Sequence, residues 1–152
     1  MDYEKMTAPC GMGCFNCKML EAKDDLALRQ KAAEKFDLEF ENAYCDSGCR
    51  ATGGRCPFIG PDKVCALYQC SKEKNVTFCY ECSDFPCDHL HPCADRAQEV
   101  VHNTKLFNLC LIKKMGLETW ATQKSANVLK DYFTRNWALD RDSNVPSQLE
   151  TT

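Results

Sequence analysis

Apolar residues recur at helical spacing in three stretches of this chain of 152 residues, and between the first and second the period is lost. The first stretch predicts a helix from about Asp25 to Phe36, with Leu26, Ala33 and Phe36 on one face and Asp24 placed to cap it. From Pro92 onward, Ala97, Val100, Val101, Thr104, Phe107, Leu111, Ile112 and Met115 return at steps of three and four. They predict a helix of about 23 residues, ended by Gly116. A second helix follows from Leu117, Trp120, Ala121, Val128, Leu129, Tyr132 and Phe133, and so short a joint makes the two an angled or antiparallel pair.

Between these stretches the pattern is irregular. Asp37 to Tyr44 is acidic and turns the chain back, Cys45 to Cys56 has no period, and Pro57 to Val64 is a turn-rich insertion. Cys65 to Cys70 spans about 1.4 helical turns and predicts a short helical turn. Pro86 and Pro92 both suit the first turn of a helix, so a helix is expected near Phe85 or restarting near Pro92. Residues 1–9 read as a flexible lead-in and residues 138–152 as a polar, disordered tail, leaving one domain over 10–137. Within it, residues 10–93 form a cysteine-rich lobe and 94–137 a helical lid.

Composition changes the picture of what holds this together. The 44% hydrophobic fraction counts thirteen cysteines, so the ordinary apolar supply is thin. The N-terminus has no apolar leader region and no stretch of eighteen apolar residues occurs, which predicts a soluble, cytoplasmic protein without a membrane span. An odd cysteine count with knuckle spacings favours metal-bound thiolates over a disulfide framework. The formal net charge is −3. Each four-cysteine zinc site would add a formal −2, so two would bring the balance to about −7. Such a charge argues against generic nucleic-acid binding, which relies on basic side chains to release phosphate counterions.

The cysteines come in clusters. Cys10-Gly-Met-Gly-Cys14-Phe-Asn-Cys17 has two glycines for the tight backbone of a metal knuckle. The same spacing carries the cluster of radical enzymes that use S-adenosylmethionine, but the roughly 135 residues downstream cannot supply their barrel. Cys45, Cys49 and Cys56 follow in a glycine-punctuated loop, and Cys65 to Cys93 places six cysteines around Phe-Cys-Tyr-Glu-Cys-Ser-Asp-Phe-Pro-Cys. Cys79-Tyr-Glu-Cys82 is the most specific local signal. Interleaved Phe78, Tyr80 and Phe85 are expected to form an apolar pad between knuckle and helices. His89 and His91 are expected to be ordinary surface histidines, His102 to face solvent, and Cys110 to be a buried, inert thiol.

Taken together, Cys-Gly-x-x-Cys-x-x-Cys, Cys-Asp-Ser-Gly-Cys-Arg, Cys-x4-Cys and Phe-Cys-x-Glu-Cys-x-Asp-Phe-Pro-Cys-x-x-Leu resemble the cysteine-rich family known as domain of unknown function 3795. The resemblance implies a metal set of Cys10, Cys14, Cys17, Cys45, Cys49, Cys65, Cys70, Cys79, Cys82 and Cys87, with zinc as the metal and no established activity. It runs in register with Gly11, Gly48, Arg50, Glu81, Phe85 and Pro86. Two departures stand out: three residues separate Cys45 from Cys49 where members show two, and the loop from Cys56 to Val64 is lengthened. Cys56 is either a bystander or the stand-in for a displaced family cysteine, and Cys93 falls outside the pattern.

Soft thiolate donors suit zinc or an iron-sulfur cluster. Ten ligands suffice for two Zn2+ sites per chain, with Cys14 and Cys17 joining another knuckle at one ion and Cys70, Cys79, Cys82 and Cys87 at the other. The fold expected is a small metal-stabilised α protein, its zinc-knuckle lobe packed on a C-terminal helical pair. Its expected role is a binding or adaptor module with a protein partner. The alternative is an iron-sulfur protein with a [4Fe-4S] cluster, or a thiol-redox protein. No phosphate loop, dinucleotide fingerprint, serine triad or His-Glu metal motif points to an enzyme.

Overall fold

The computed structural model describes residues 1–134. Six α-helices appear in it: α1 (Lys18–Glu21), α2 (Leu26–Phe36), α3 (Ala66–Glu73), α4 (Lys105–Met115), α5 (Leu117–Gln123) and α6 (Ser125–Thr134). Two short strands, β1 (Arg55–Cys56) and β2 (Gly60–Val64), pair antiparallel, with Arg55 opposite Val64 and Cys56 opposite Gly60. The described chain is mostly helical, as its periodicity predicts. No helix in it is long and apolar enough to cross a membrane.

Several elements differ from expectation, each for a visible reason. The cap of α2 is Asp25, whose carboxylate accepts from the Leu28 N–H at 2.9 Å, rather than Asp24. Its buried face is Ala32 and Ala33, while Leu26 is 61% exposed. The insertion after Cys56 is a hairpin whose tip, Pro57–Ile59, makes a 3-10 turn. Thr7, Ala8 and Pro9, assigned to the lead-in by the sequence, are buried instead, and Thr7 bridges to Gly13.

The 23-residue helix is not formed. Only Lys105–Met115 is α-helical, and the preceding stretch is turns ending in a 3-10 turn at His102–Thr104. The Asn103 amide accepts from the Cys93 N–H at 3.0 Å and donates to the Cys93 carbonyl at 3.1 Å, closing residues 93–103 into a loop. Such side-chain bonds compete with helical ones. Arg96, at φ 52°, also leaves the helical region. The apolar pattern still reports burial, since Val100 is 9% exposed. No α-helix starts near Phe85 or Pro92; a 3-10 turn at Asp88–Leu90 stands there.

The second predicted helix is split into α5 and α6 at Lys124, at φ −122°. Ser125 donates to the Ala121 carbonyl at 2.7 Å and accepts from Asn16 Nδ2 at 2.9 Å, which ties this break to the first knuckle. The expected helical pair is therefore three short helices. Residues 138–152 lie outside the described residues.

Burial is divided among three small clusters. Met19, Ala32, Ala33 and Ala43 form one, and Ala8, Cys10, Leu67, Phe78, Leu90 and Leu109 a second. The third is Ile112, Trp120 and Ala121, with Phe15 set edge-on to Trp120 at 5.9 Å. Leu109 is 0% exposed and belongs to the same cluster as Cys10, so α4 packs onto the knuckle side of the molecule.

Candidate metal centre

The first knuckle is a chain of backbone turns. The Gly11 N–H bonds the Ala8 carbonyl at 2.9 Å, that of Cys14 bonds Met6 at 2.8 Å, and that of Cys17 bonds Cys14 at 3.0 Å. Gly11 takes the left-handed conformation expected of it, at φ 83°. Gly13 does not, at φ −79°; its missing side chain makes room for the rings of Phe15 and Trp120 instead. The second knuckle locks onto the first. The Cys49 N–H donates to Cys14 Sγ at 3.4 Å, and the Cys45 N–H donates to the Met19 carbonyl at 2.7 Å, just beyond Cys17.

These contacts gather thiols from three loops. Cys14, Cys17, Cys45, Cys49 and Cys56 line one cavity of about 60 Å³, closed by Met19, Leu20 and Arg55. Neither a carboxylate nor a histidine contributes to that wall. A donor set of sulfur alone suits zinc, copper(I) or iron-sulfur and rejects hard cations such as magnesium. In number and chemistry these residues fit a thiolate-bound metal. Cys14, Cys49, Cys65 and Cys79 pack against the core cluster that holds Cys10, Leu67 and Leu109.

A second group surrounds the Cys79–Glu81 turn. Burial pushes the Cys79 thiol up to about 12, and the charges of Cys10, Cys87, Cys70 and Cys82 push the same way. Glu81 accepts the N–H groups of Thr77 at 2.8 Å and Phe78 at 3.1 Å, which fixes the entry to this turn. Phe78 is buried and stacks on Tyr80 at 5.6 Å, and Phe85 joins them in the apolar pad that the sequence predicts.

Burial dominates the other thiols too. It pushes Cys14 up to about 11 and Cys56 to about 12, and it raises Cys10, Cys17 and Cys49. Without a cation, these groups stay protonated at neutral pH and are poor nucleophiles. All thirteen cysteines are free. Among the described residues no group of three or more His, Cys, Asp or Glu side chains is arranged so that it could hold a metal ion, so ligation requires the thiols to turn inward.

The remaining candidates fall outside both groups. His89 and His91 are exposed, the latter with Nδ1 at 2.7 Å from the Pro92 carbonyl oxygen. Cys93 is exposed beside Asn103. Two expectations need correction. Cys110 is exposed, because α4 turns Leu109 and Ile112 inward and leaves Phe107 and Cys110 on its outer face. His102 is half-buried, and burial together with the charges of Lys105 and Arg96 lowers its pKa.

Sequence reasoning placed Arg50 in the family pattern but gave it no role. Its guanidinium donates to the carbonyls of Thr7 at 2.8 Å and Thr77 at 2.7 Å and lies 5.0 Å from the centre of the Phe78 ring. Its place beside Cys49 in the cysteine pattern was the available signal.

The family described as "Protein of unknown function (DUF3795)" matches residues 6–92. The chain belongs to this family. The DUF3795 match takes in every cysteine around the cavity and the Cys79–Glu81 turn, while α4, α5 and α6 lie beyond it. No curated protein and no solved structure matches the chain.

Proposed function

We propose that this protein is a zinc-binding module in which the metal is structural and the role is that of a binding or adaptor unit. The observation that carries the reading is the cavity walled by five free thiols from three loops that have little regular structure. Apparent binding energies of roughly 10 to 16 kcal/mol per structural zinc compare with a whole-domain stability of about 5 to 15 kcal/mol. Metal on that scale can order residues 10–90, most of whose buried apolar side chains belong, among the described residues, to the small clusters around Met19 and Leu67.

Thiolates of the cysteine loops, four to each ion, would hold the metal and leave no open position for chemistry. The upward-shifted thiols support this over a thiol-redox role, which needs a lowered pKa.

The test is elemental analysis and an absorption spectrum of protein purified without oxygen, followed by chelation under far-UV circular dichroism. Two colourless zinc ions per chain, with loss of helical signal on chelation, are expected. A brown protein containing iron and acid-labile sulfide would replace zinc with the [4Fe-4S] reading. Metal release with an unchanged spectrum would remove the structural role.

A further inference from the structure

We propose that Cys56, supplied by the hairpin, is the fourth thiolate of a soft-metal site whose other ligands are Cys14, Cys17 and Cys45. This rests on the zinc reading above and says which thiols share an ion. Five cysteines line the cavity, and packing sorts them. Cys17, Cys45 and Phe58 of the hairpin pack against the cluster around Met19, whereas Cys14 and Cys49 pack against the cluster around Leu109; Cys14 goes with Cys17 because the two share one turn, the Cys17 N–H bonding the Cys14 carbonyl at 3.0 Å, while Cys49 sits with Cys10, Cys65 and Cys79. The Cys49 N–H donates to Cys14 Sγ, a bond that stabilises the Cys14 thiolate.

The hairpin holds Cys56 at this place. The Arg55 to Val64 pairing fixes its base, and Phe58 at its tip sits edge-on to Phe36 of α2 at 4.8 Å. The lengthened loop is thereby docked on the helix that backs Cys17 and Cys45. Binding one divalent cation releases four thiol protons and leaves a formal charge of −2, which Arg55 at the cavity wall partly offsets.

The test uses the full chain, reduced and freed of metal, then titrated with cobalt(II) and with zinc. Cys56→Ser is expected to bind one metal fewer than the wild type and to lose sulfur-to-cobalt charge-transfer intensity in proportion; Cys93→Ser keeps both. Phe58→Ala retains every thiol but frees the hairpin tip, and is expected to weaken the same site at least tenfold.

Should Cys56→Ser fail to fold, alkylation of the wild type decides: on adding zinc, Cys14, Cys17, Cys45 and Cys56 become protected together while Cys93 and Cys110 react as before. Full stoichiometry in Cys56→Ser, or equal alkylation of Cys56 with and without zinc, overturns the assignment and leaves the zinc reading standing. A wild-type chain that takes up neither zinc nor cobalt overturns the zinc reading itself.

Discussion

Gly54→Ala tests whether the cysteine loops are packed as tightly as their geometry implies. Gly54 lies at φ 83°, its N–H donates to the Cys49 carbonyl at 2.8 Å, and its carbonyl accepts from the Cys65 N–H at 2.9 Å. A Cβ there would stand 2.5 Å from Tyr68 Cδ1, 2.6 Å from Cγ and 2.8 Å from Cβ. These atoms are rooted in α3 and cannot swing aside, so α3 or the loop must move.

Gly116 is the control, because it has a similar φ of 84° and nothing within 4 Å of an added Cβ. Gly116→Ala carries backbone strain alone, about 1 to 3 kcal/mol. Gly54→Ala adds an overpacking cost of about 1 to 3 kcal/mol. Urea unfolding at one fixed metal loading, followed by circular dichroism, measures both. The clash also predicts coupling with Tyr68→Ala of about 1 kcal/mol or more in a double-mutant cycle. A Gly54→Ala protein no less stable than Gly116→Ala, or zero coupling to Tyr68, would refute the close packing of α3 on this loop.

Arg50→Ala loses two hydrogen bonds from a charged donor and is expected to cost about 2 to 4 kcal/mol in urea unfolding; Arg50→Lys recovers only part, since an ammonium does not reproduce the guanidinium fork. The lowered pKa of His102 means that the unfolded chain takes up its proton first on acidification. Its contribution is therefore complete above about pH 6.5 and is lost as pH falls through the lower folded-state value. A pH series of unfolding midpoints should show that loss, and His102→Gln should flatten it. For the metal-free chain the sign is opposite: with Cys14 raised to about 11 and Cys56 and Cys79 to about 12, the thiol contribution is full below about pH 8.5 and falls as pH rises toward those values. Midpoints of the metal-free protein should drop through that window.

Burial was more legible in the sequence than helix length. Val100, Ile112, Trp120 and Ala121 are all buried as their spacing predicts. The spacing did not reveal that Asn103 would bond the backbone of Cys93, or that Ser125 would bond Ala121, because side-chain competition for main-chain groups leaves no trace in an apolar period. Exposure at Phe107 and Phe133 went unread for a related reason: continuous apolar spacing cannot say which of two adjacent residues faces inward. For the candidate site, the cysteine clusters were legible and their spatial neighbourhood was not. Cys56 became a neighbour of Cys17 and Cys45 only through a hairpin, which needs a register between residues nine and four apart that no local spacing encodes.

The polar residues that accompany the cysteines now have a physical task. Arg50 reaches Thr7, just ahead of Cys10, and Thr77, just ahead of Cys79, while its own backbone follows Cys49. One side chain thus fixes three cysteine-bearing segments relative to one another. Glu81 holds the N–H groups of Thr77 and Phe78 from within the Cys79 to Cys82 turn, so the carbonyl that Arg50 grips is itself held from the other side. Buried main-chain groups must find partners, and in loops without helix or sheet such charged side chains supply them. The Cys-Arg and Cys-x-Glu-Cys pairings in the sequence therefore describe loops assembled against each other. A change at either residue should disturb both groups of thiols at once, which two independent knuckles would not do.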